Sequence, residues 1–99
     1  MTKLILRPAA VGDLERAYRW YQREREGLGE DLLREVQAAI DSALENPRMY
    51  PVVHRDTRRI LVRRFPYGLY YRLIDEAVVF VACYHTRRDP KSWQRRGIR

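Results

Sequence analysis

The apolar positions of this chain follow a helical period in its first half and a strand period in its second. Lys3 to Arg7 reads as a short strand. Pro8 then suits a helix start, where its missing N–H leaves no hydrogen bond unmade. Val11, Leu14, Tyr18 and Tyr21, with Ala10 and Ala17, recur at i, i+3, i+4 and i+7, which places them on one helical stripe. Gly27-Leu28-Gly29 ends that helix, because glycine readily takes the left-handed conformation of a C-cap. A second helix carries Leu32, Leu33, Val36, Ala39, Ile40, Ala43 and Leu44 on one face. Asn46-Pro47 stops it, since the residue before a proline is pushed out of helical geometry. Two amphipathic helices around a tight loop form a helical hairpin.

After Pro51 the period becomes two. Arg58 to Phe65 reads as a strand, with Ile60 and Val62 on one face and Leu61, Arg63 and Phe65 on the other. Pro66-Tyr67-Gly68 supplies a turn. Tyr67, Leu69, Tyr71 and Leu73 then alternate with Gly68, Tyr70, Arg72 and Ile74, and Asp75-Glu76 makes a two-residue hairpin connection. Val78 to Tyr84 is apolar at every position, as expected of a central strand covered on both faces. The expected order is β-α-α-β-β-β, an α+β domain with the helical hairpin packed on a mainly antiparallel sheet. No repeat, low-complexity tract or linker interrupts it, so residues 1–99 read as a single domain.

Composition adds only bounds. The chain is 45% hydrophobic and 33% charged, an ordinary globular balance. Its longest apolar run, Ala77 to Tyr84, is too short to span a bilayer, and the opening residues are too short an apolar stretch for a signal peptide. One cysteine gives no internal disulfide and suits a reducing compartment. These features point to a cytoplasmic protein with no membrane partner.

Charge changes the picture more. The net +7 divides unevenly: residues 1–46 hold 7 Lys/Arg against 9 Asp/Glu, and residues 47–99 hold 13 against 4. Of the 20 cations 18 are arginine, which forks onto phosphate or carboxylate and stacks on aromatic rings. An arginine-favouring genome explains that ratio but not the asymmetry between halves. A basic half implies an acidic partner, either nucleic acid or an acidic protein segment.

Most catalytic chemistries are excluded. Two histidines and one cysteine without a ligand spacing make no metal set, no glycine-rich phosphate loop follows a strand, and no cofactor is implied. Cys83 lies within the apolar run, as a small core residue would. The second helix is no DNA probe: Glu30, Asp31, Glu35, Asp41 and Glu45 against Arg34 would repel a phosphate backbone.

The basic residues gather around the sheet instead. Arg58, Arg59, Arg63 and Arg64 frame its first long strand, while Arg87, Arg88 and Lys91 follow its last. Tyr67, Tyr70, Tyr84, His85 and Trp93 lie among them, the mixture that single-stranded RNA binders use for phosphate contact and base stacking. Tyrosine is also a good strand residue, so the tyrosines are better explained as sheet core. His85 is a candidate general acid or base, or else an anchor for the chain leaving the strand. Asp89-Pro90 reads as structural, with Asp89 pairing an arginine or capping the turn.

The order and spacing of several segments resemble the RelE/ParE superfamily of toxins from type II toxin–antitoxin modules, which includes plasmid stabilisation toxins. The segments are Asp13-Leu14, Gly27-Leu28-Gly29, Glu45-Asn46-Pro47-Arg48-Met49-Tyr50-Pro51, Arg63-Arg64-Phe65-Pro66-Tyr67, Tyr70-Tyr71-Arg72, and His85-Thr86-Arg87-Arg88-Asp89-Pro90 with Trp93. The resemblance implies the β-α-α-β-β-β fold, growth inhibition and neutralisation by a cognate antitoxin in a toxin–antitoxin hetero-oligomer. RelE-like members cleave mRNA at the ribosome with basic sheet residues and a C-terminal aromatic; Arg63 or Arg64, Arg87 and Trp93 match those places. Gly68, however, stands where RelE-like toxins carry a catalytic arginine, and Trp93 cannot exchange a proton as tyrosine can. His85, Arg87 and Asp89 look closer to ParE-like members, which poison DNA gyrase. The residues and the resemblance together point to Arg63, Arg64, Tyr84, Arg87, Arg88, Lys91 and Trp93 for target binding, with His85, Arg87 and Tyr67 as candidates for any catalytic role. The competing class is a non-catalytic basic module that only holds an acidic partner.

Overall fold

The alternating half of the chain builds a five-stranded sheet, and the helical half covers one face of it. A computed structural model describes residues 2–96. The elements are β1 (Lys3–Leu6), α1 (Pro8–Glu24), α2 (Leu28–Glu45), β2 (Val52–His54), β3 (Thr57–Leu61), β4 (Tyr67–Ile74), β5 (Ala77–His85) and α3 (Lys91–Arg96). The sheet order is β1-β5-β4-β3-β2, with β1 parallel to β5 and every other pair antiparallel. The α+β class and the expected core order hold; β2 and α3 are additions. Both are short, and neither has a run long enough for its period to show.

Between the sheet and α1–α2 lies the larger core, where Leu32, Val36, Ile40 and Ala43 meet Ile60, Leu69, Tyr71, Val78 and Phe80. A smaller core on the opposite face joins Tyr70, Val79, Val81, Tyr84 and Trp93. β5 is therefore covered on both sides, as its unbroken apolar run requires. Leu33 departs from its expected stripe: it is 40% exposed, because one residue past Leu32 turns about 100° around the helix.

The strand expected over Arg58 to Phe65 stops at Leu61. Ile60 and Val62 are buried and Leu61 is exposed, as the alternation requires. Arg64 then takes φ 71, and the chain reverses through residues 63–66 rather than at Pro66-Tyr67-Gly68. Phe65 tucks into the helix-side core, its ring edge-on to Tyr21 at 5.0 Å. Tyr67 and Gly68 open β4 instead of forming the turn.

The hairpin loop is held by a side chain that the helical pattern does not reveal. Gln22 Oε1 accepts the N–H groups of Gly27 at 3.1 Å and Gly29 at 2.7 Å, satisfying donors at the start of α2 that have no partner within the helix. Gly27 sits at φ 91, the left-handed region that favours glycine. Gly29 is needed for space: a Cβ there would lie 2.7 Å from Gln22 Cγ and 2.8 Å from the Tyr18 ring. Gly29→Ala is expected to lower stability by about 1–3 kcal/mol through overpacking, measured by denaturant unfolding. A gain in stability, the usual result of Gly→Ala inside a helix, would show that the two helices do not meet this closely.

Candidate functional site

β1 is short, and the consequences shape one end of the molecule. It pairs with β5 only from Ala77 to Phe80, so among the described residues β5 has no strand neighbour on this side beyond that point. A bulge falls in the same place: Tyr70 faces Ala82 and Tyr71 faces Phe80, leaving Val81 as the extra residue. The strand is rephased, and Cys83 turns toward the helix-side core while Val81 and Ala82 both join the opposite one.

Two charged side chains occupy the vacant edge. Asp13 of α1 accepts the Cys83 N–H through Oδ2 at 3.0 Å, and Arg96 of α3 donates to the Val81 carbonyl at 3.3 Å. Arg96 grips both Asp13 oxygens, at 2.6 and 3.2 Å, and Arg16 donates to Oδ1 at 2.7 Å. A carboxylate and a guanidinium thus supply the acceptor and donor that another strand would have supplied. The hydrogen bond to Asp13 raises the Arg96 pKa above its ordinary value, outweighing the opposing effect of burial. Burial, aided by Asp13, pushes the Cys83 thiol up to about 12, so it remains an unreactive thiol at neutral pH.

Past this edge the chain leaves β5 through a tight loop. His85 Nδ1 accepts the Arg87 N–H at 3.1 Å, which assigns the proton of the neutral ring to Nε2. The Arg88 N–H returns to the His85 carbonyl at 3.0 Å, and Thr86 N–H reaches the Pro66 carbonyl at 2.8 Å. That last bond ties the His85 loop to the turn bearing Arg63 and Arg64. Asp89 Oδ1 accepts the Lys91 N–H at 3.0 Å and opens α3, so Asp89 has the capping role expected of it.

His85 and Tyr67 are brought together, their rings edge-on at 5.4 Å. They share a cleft of about 220 Å³ with Arg88 of the loop and Asp13, Arg16 and Trp20 of α1. Burial raises the Tyr67 pKa, Tyr21 and Cys83 add to the shift, and Arg88 opposes it. Tyr67 is therefore a poor proton donor or acceptor near neutral pH. Arg88 lies with its guanidinium carbon 4.4 Å from the centre of the Tyr84 ring.

Arg63 and Arg64 stand apart from this cleft. Arg64 approaches Glu35 of α2 at 3.7 Å, and Arg63 lines a groove of about 480 Å³ between α2 and β3. Arg87 and Lys91 are exposed beyond the strand. Trp93 and Tyr84, expected among the target-binding residues, are each only 3% exposed. Trp93 stacks on Tyr70 at 4.1 Å and 11° and stands edge-on to His54 at 5.9 Å, so its face is already used by protein.

Gly68 lies on the same sheet face as Tyr70, beneath the side chain of Arg59. A Cβ at Gly68 would meet the Tyr70 hydroxyl at 3.1 Å and the Arg59 stem at 3.2 Å. The Arg59 Nε is buried and unpartnered. Sequence reasoning counted Arg59 in the basic frame of the sheet without naming it for target binding, and it missed Arg16, Trp20 and Arg96 altogether. Asp13 had a visible signal: it falls between Ala10 and Ala17 on the buried stripe of α1, a lone acid where the pattern calls for an apolar residue.

Residues 4–90 match the family described as the ParE toxin of the type II toxin–antitoxin system parDE. The chain belongs to the ParE toxin family. Among solved structures, the chromosomal ParDE system of P. aeruginosa aligns at TM-score 0.66 and 18% identity, over 86% of this chain and 96% of that one. A chain of the intact E. coli RelBE toxin–antitoxin complex aligns at TM-score 0.65 and 22% identity, over 89% and 100%. The isolated E. coli RelE toxin gives 0.63 and 21%, over 93% and 92%. At these identities the likeness is one of fold. No curated protein matches the sequence. No described helix of this ParE-family chain is long and apolar enough to cross a membrane, and no described cluster of His, Cys, Asp or Glu could hold a metal ion.

Proposed function

We propose that this ParE-family toxin acts in the cytoplasm by poisoning DNA gyrase and is held inactive by a cognate antitoxin. One observation supports the choice of target: the sheet face carries a glycine at position 68 and a packed tryptophan at position 93, where the ribonuclease reading needs a cation and a proton donor. Cleavage of mRNA needs charge stabilisation on the phosphate and proton movement at the 2′-hydroxyl and the leaving oxygen. Arginines meet the first need, but arginine hardly deprotonates near neutral pH. Trp93 is locked in its stack on Tyr70, its indole N–H is too weak an acid to serve in proton transfer, and Gly68 adds no cation.

The antitoxin reading draws on the solved relatives, two of which are toxin–antitoxin systems. In this chain the groove between α2 and β3 has an apolar floor of Ala38, Ala39 and Ile60, with Arg59 and Arg63 among its other lining residues. An amphipathic, partly acidic segment suits that combination. A second reading, ribosome-dependent mRNA cleavage, is favoured only by the pairing of His85 with Tyr67 beside Arg88. In a third, the basic surface merely holds an acidic partner.

Purified toxin is to be given gyrase with supercoiled plasmid and, separately, translating ribosomes with a mapped mRNA. Stabilised gyrase–DNA cleavage complexes with intact mRNA are expected. Codon-phased mRNA cleavage abolished by His85→Ala or Arg87→Ala would replace the gyrase reading with the ribonuclease one. In cells, soluble toxin alone is expected to arrest growth and the adjacent gene product to relieve the arrest. Unimpeded growth would leave only the binding-module reading.

A further inference from the structure

The cleft between α1 and the end of β5 holds more positive charge than its single carboxylate balances. Asp13 is the one acid among its lining residues, and it is already engaged by Arg96, Arg16 and the Cys83 N–H. Arg88 lines the same cleft and forms no ion pair among the described residues; it rests on the Tyr84 ring. Guanidinium groups gathered beyond their counter-charge favour an anion, and arginine's planar fork matches phosphate. Two further donors line the same cleft. His85 Nδ1 is taken up by the Arg87 N–H, which leaves Nε2 to face a ligand, and the half-buried Tyr67 adds a hydroxyl.

Trp20 supplies a different kind of contact. It lines the cleft, is 48% exposed, and meets Tyr21 edge-on at 87°, so no ring among the described residues stacks on its faces. A tryptophan left this open on a helix beside paired cations is an unused stacking surface. The volume of about 220 Å³ admits a phosphate group, with Trp20 among the lining residues for a base to meet.

We propose that this cleft is a nucleotide site, with the phosphate held by Arg16 and Arg88 and the base stacked on Trp20. The site is separate from the α2–β3 groove, and because it shares His85, Tyr67 and Arg88 with the ribonuclease reading it is proposed as a binding site that needs no cleavage. A carboxylate from an acidic peptide would use the same cations but would not need Trp20.

The test is calorimetric titration of the intact toxin with adenosine monophosphate, inorganic phosphate, adenosine and a glutamate-rich peptide, with Trp20 emission followed in parallel. Saturable binding of the nucleotide is expected, on the order of tenfold tighter than inorganic phosphate or adenosine, because both contacts act together. Arg88→Gln is expected to weaken it about tenfold, and Trp20→Ala to abolish its advantage over inorganic phosphate. Both residues are surface-accessible, and an unchanged unfolding midpoint in each variant confirms that the fold is intact. Equal binding of nucleotide and phosphate, preference for the peptide, or the same loss in Arg63→Gln would overturn the proposal. Growth arrest that persists without any nucleotide binding would overturn this inference alone and leave the toxin reading standing.

Discussion

Asp13→Ala is expected to cost about 3 kcal/mol of folding stability, among the largest losses for any single polar side chain in this fold. The carboxylate is 2% exposed and accepts hydrogen bonds from two arginines and a backbone N–H. Removing one partner of a buried charge pair typically costs 3–5 kcal/mol, because the remaining charge is left uncompensated. Here the lower end applies: Arg16 is 62% exposed and Arg96 25%, so both can recover water. The Cys83 N–H adds its own penalty, since a buried donor without an acceptor costs about 1–3 kcal/mol. Asp13→Ala, Arg96→Ala and the double variant, unfolded in denaturant, form a cycle that isolates the pair. A loss below about 1 kcal/mol in Asp13→Ala would mean that water can close the open edge of β5 unaided. A coupling near zero would mean that α3 is not held through Arg96.

Trp93→Ala is expected to cost a comparable 3–5 kcal/mol, the usual range for truncating a buried tryptophan. The ring fills the smaller core against Tyr70, and it anchors α3 across the sheet. Trp93→Phe is the informative companion. It keeps an aromatic packing group, so if the residue serves packing, stability falls by less and growth arrest persists. If Trp93 instead engages the target, the phenylalanine variant would stay folded and lose toxicity. Intact stability with lost toxicity would therefore restore the role that burial argues against.

Much of the fold was legible because its elements are long and periodic. The stripe of Leu32, Val36, Ile40 and Ala43 and the alternation of Leu69, Tyr71 and Leu73 each have only one surface to bury. Asn46-Pro47 and Asp75-Glu76 marked ends that local backbone preference alone enforces. β2 and α3 were not legible, since three and six residues carry too little pattern to outweigh a loop.

The candidate site divides in the same way. The sequence by itself determined the basic C-terminal half, the His85-to-Lys91 loop and the family to which these belong, because composition, short motifs and their spacing are properties of the chain. Only the tertiary structure decided which side chains meet. Asp13 and Arg96 are 83 residues apart and find each other because β1 ends early and leaves an edge of β5 to be filled. Trp93 is packed rather than presented because α3 folds back over Tyr70, and Trp20 is presented because no ring among the described residues stacks on it. Periodicity assigns a residue to a face of its own element; what covers that face depends on where other elements end, and no local pattern records that.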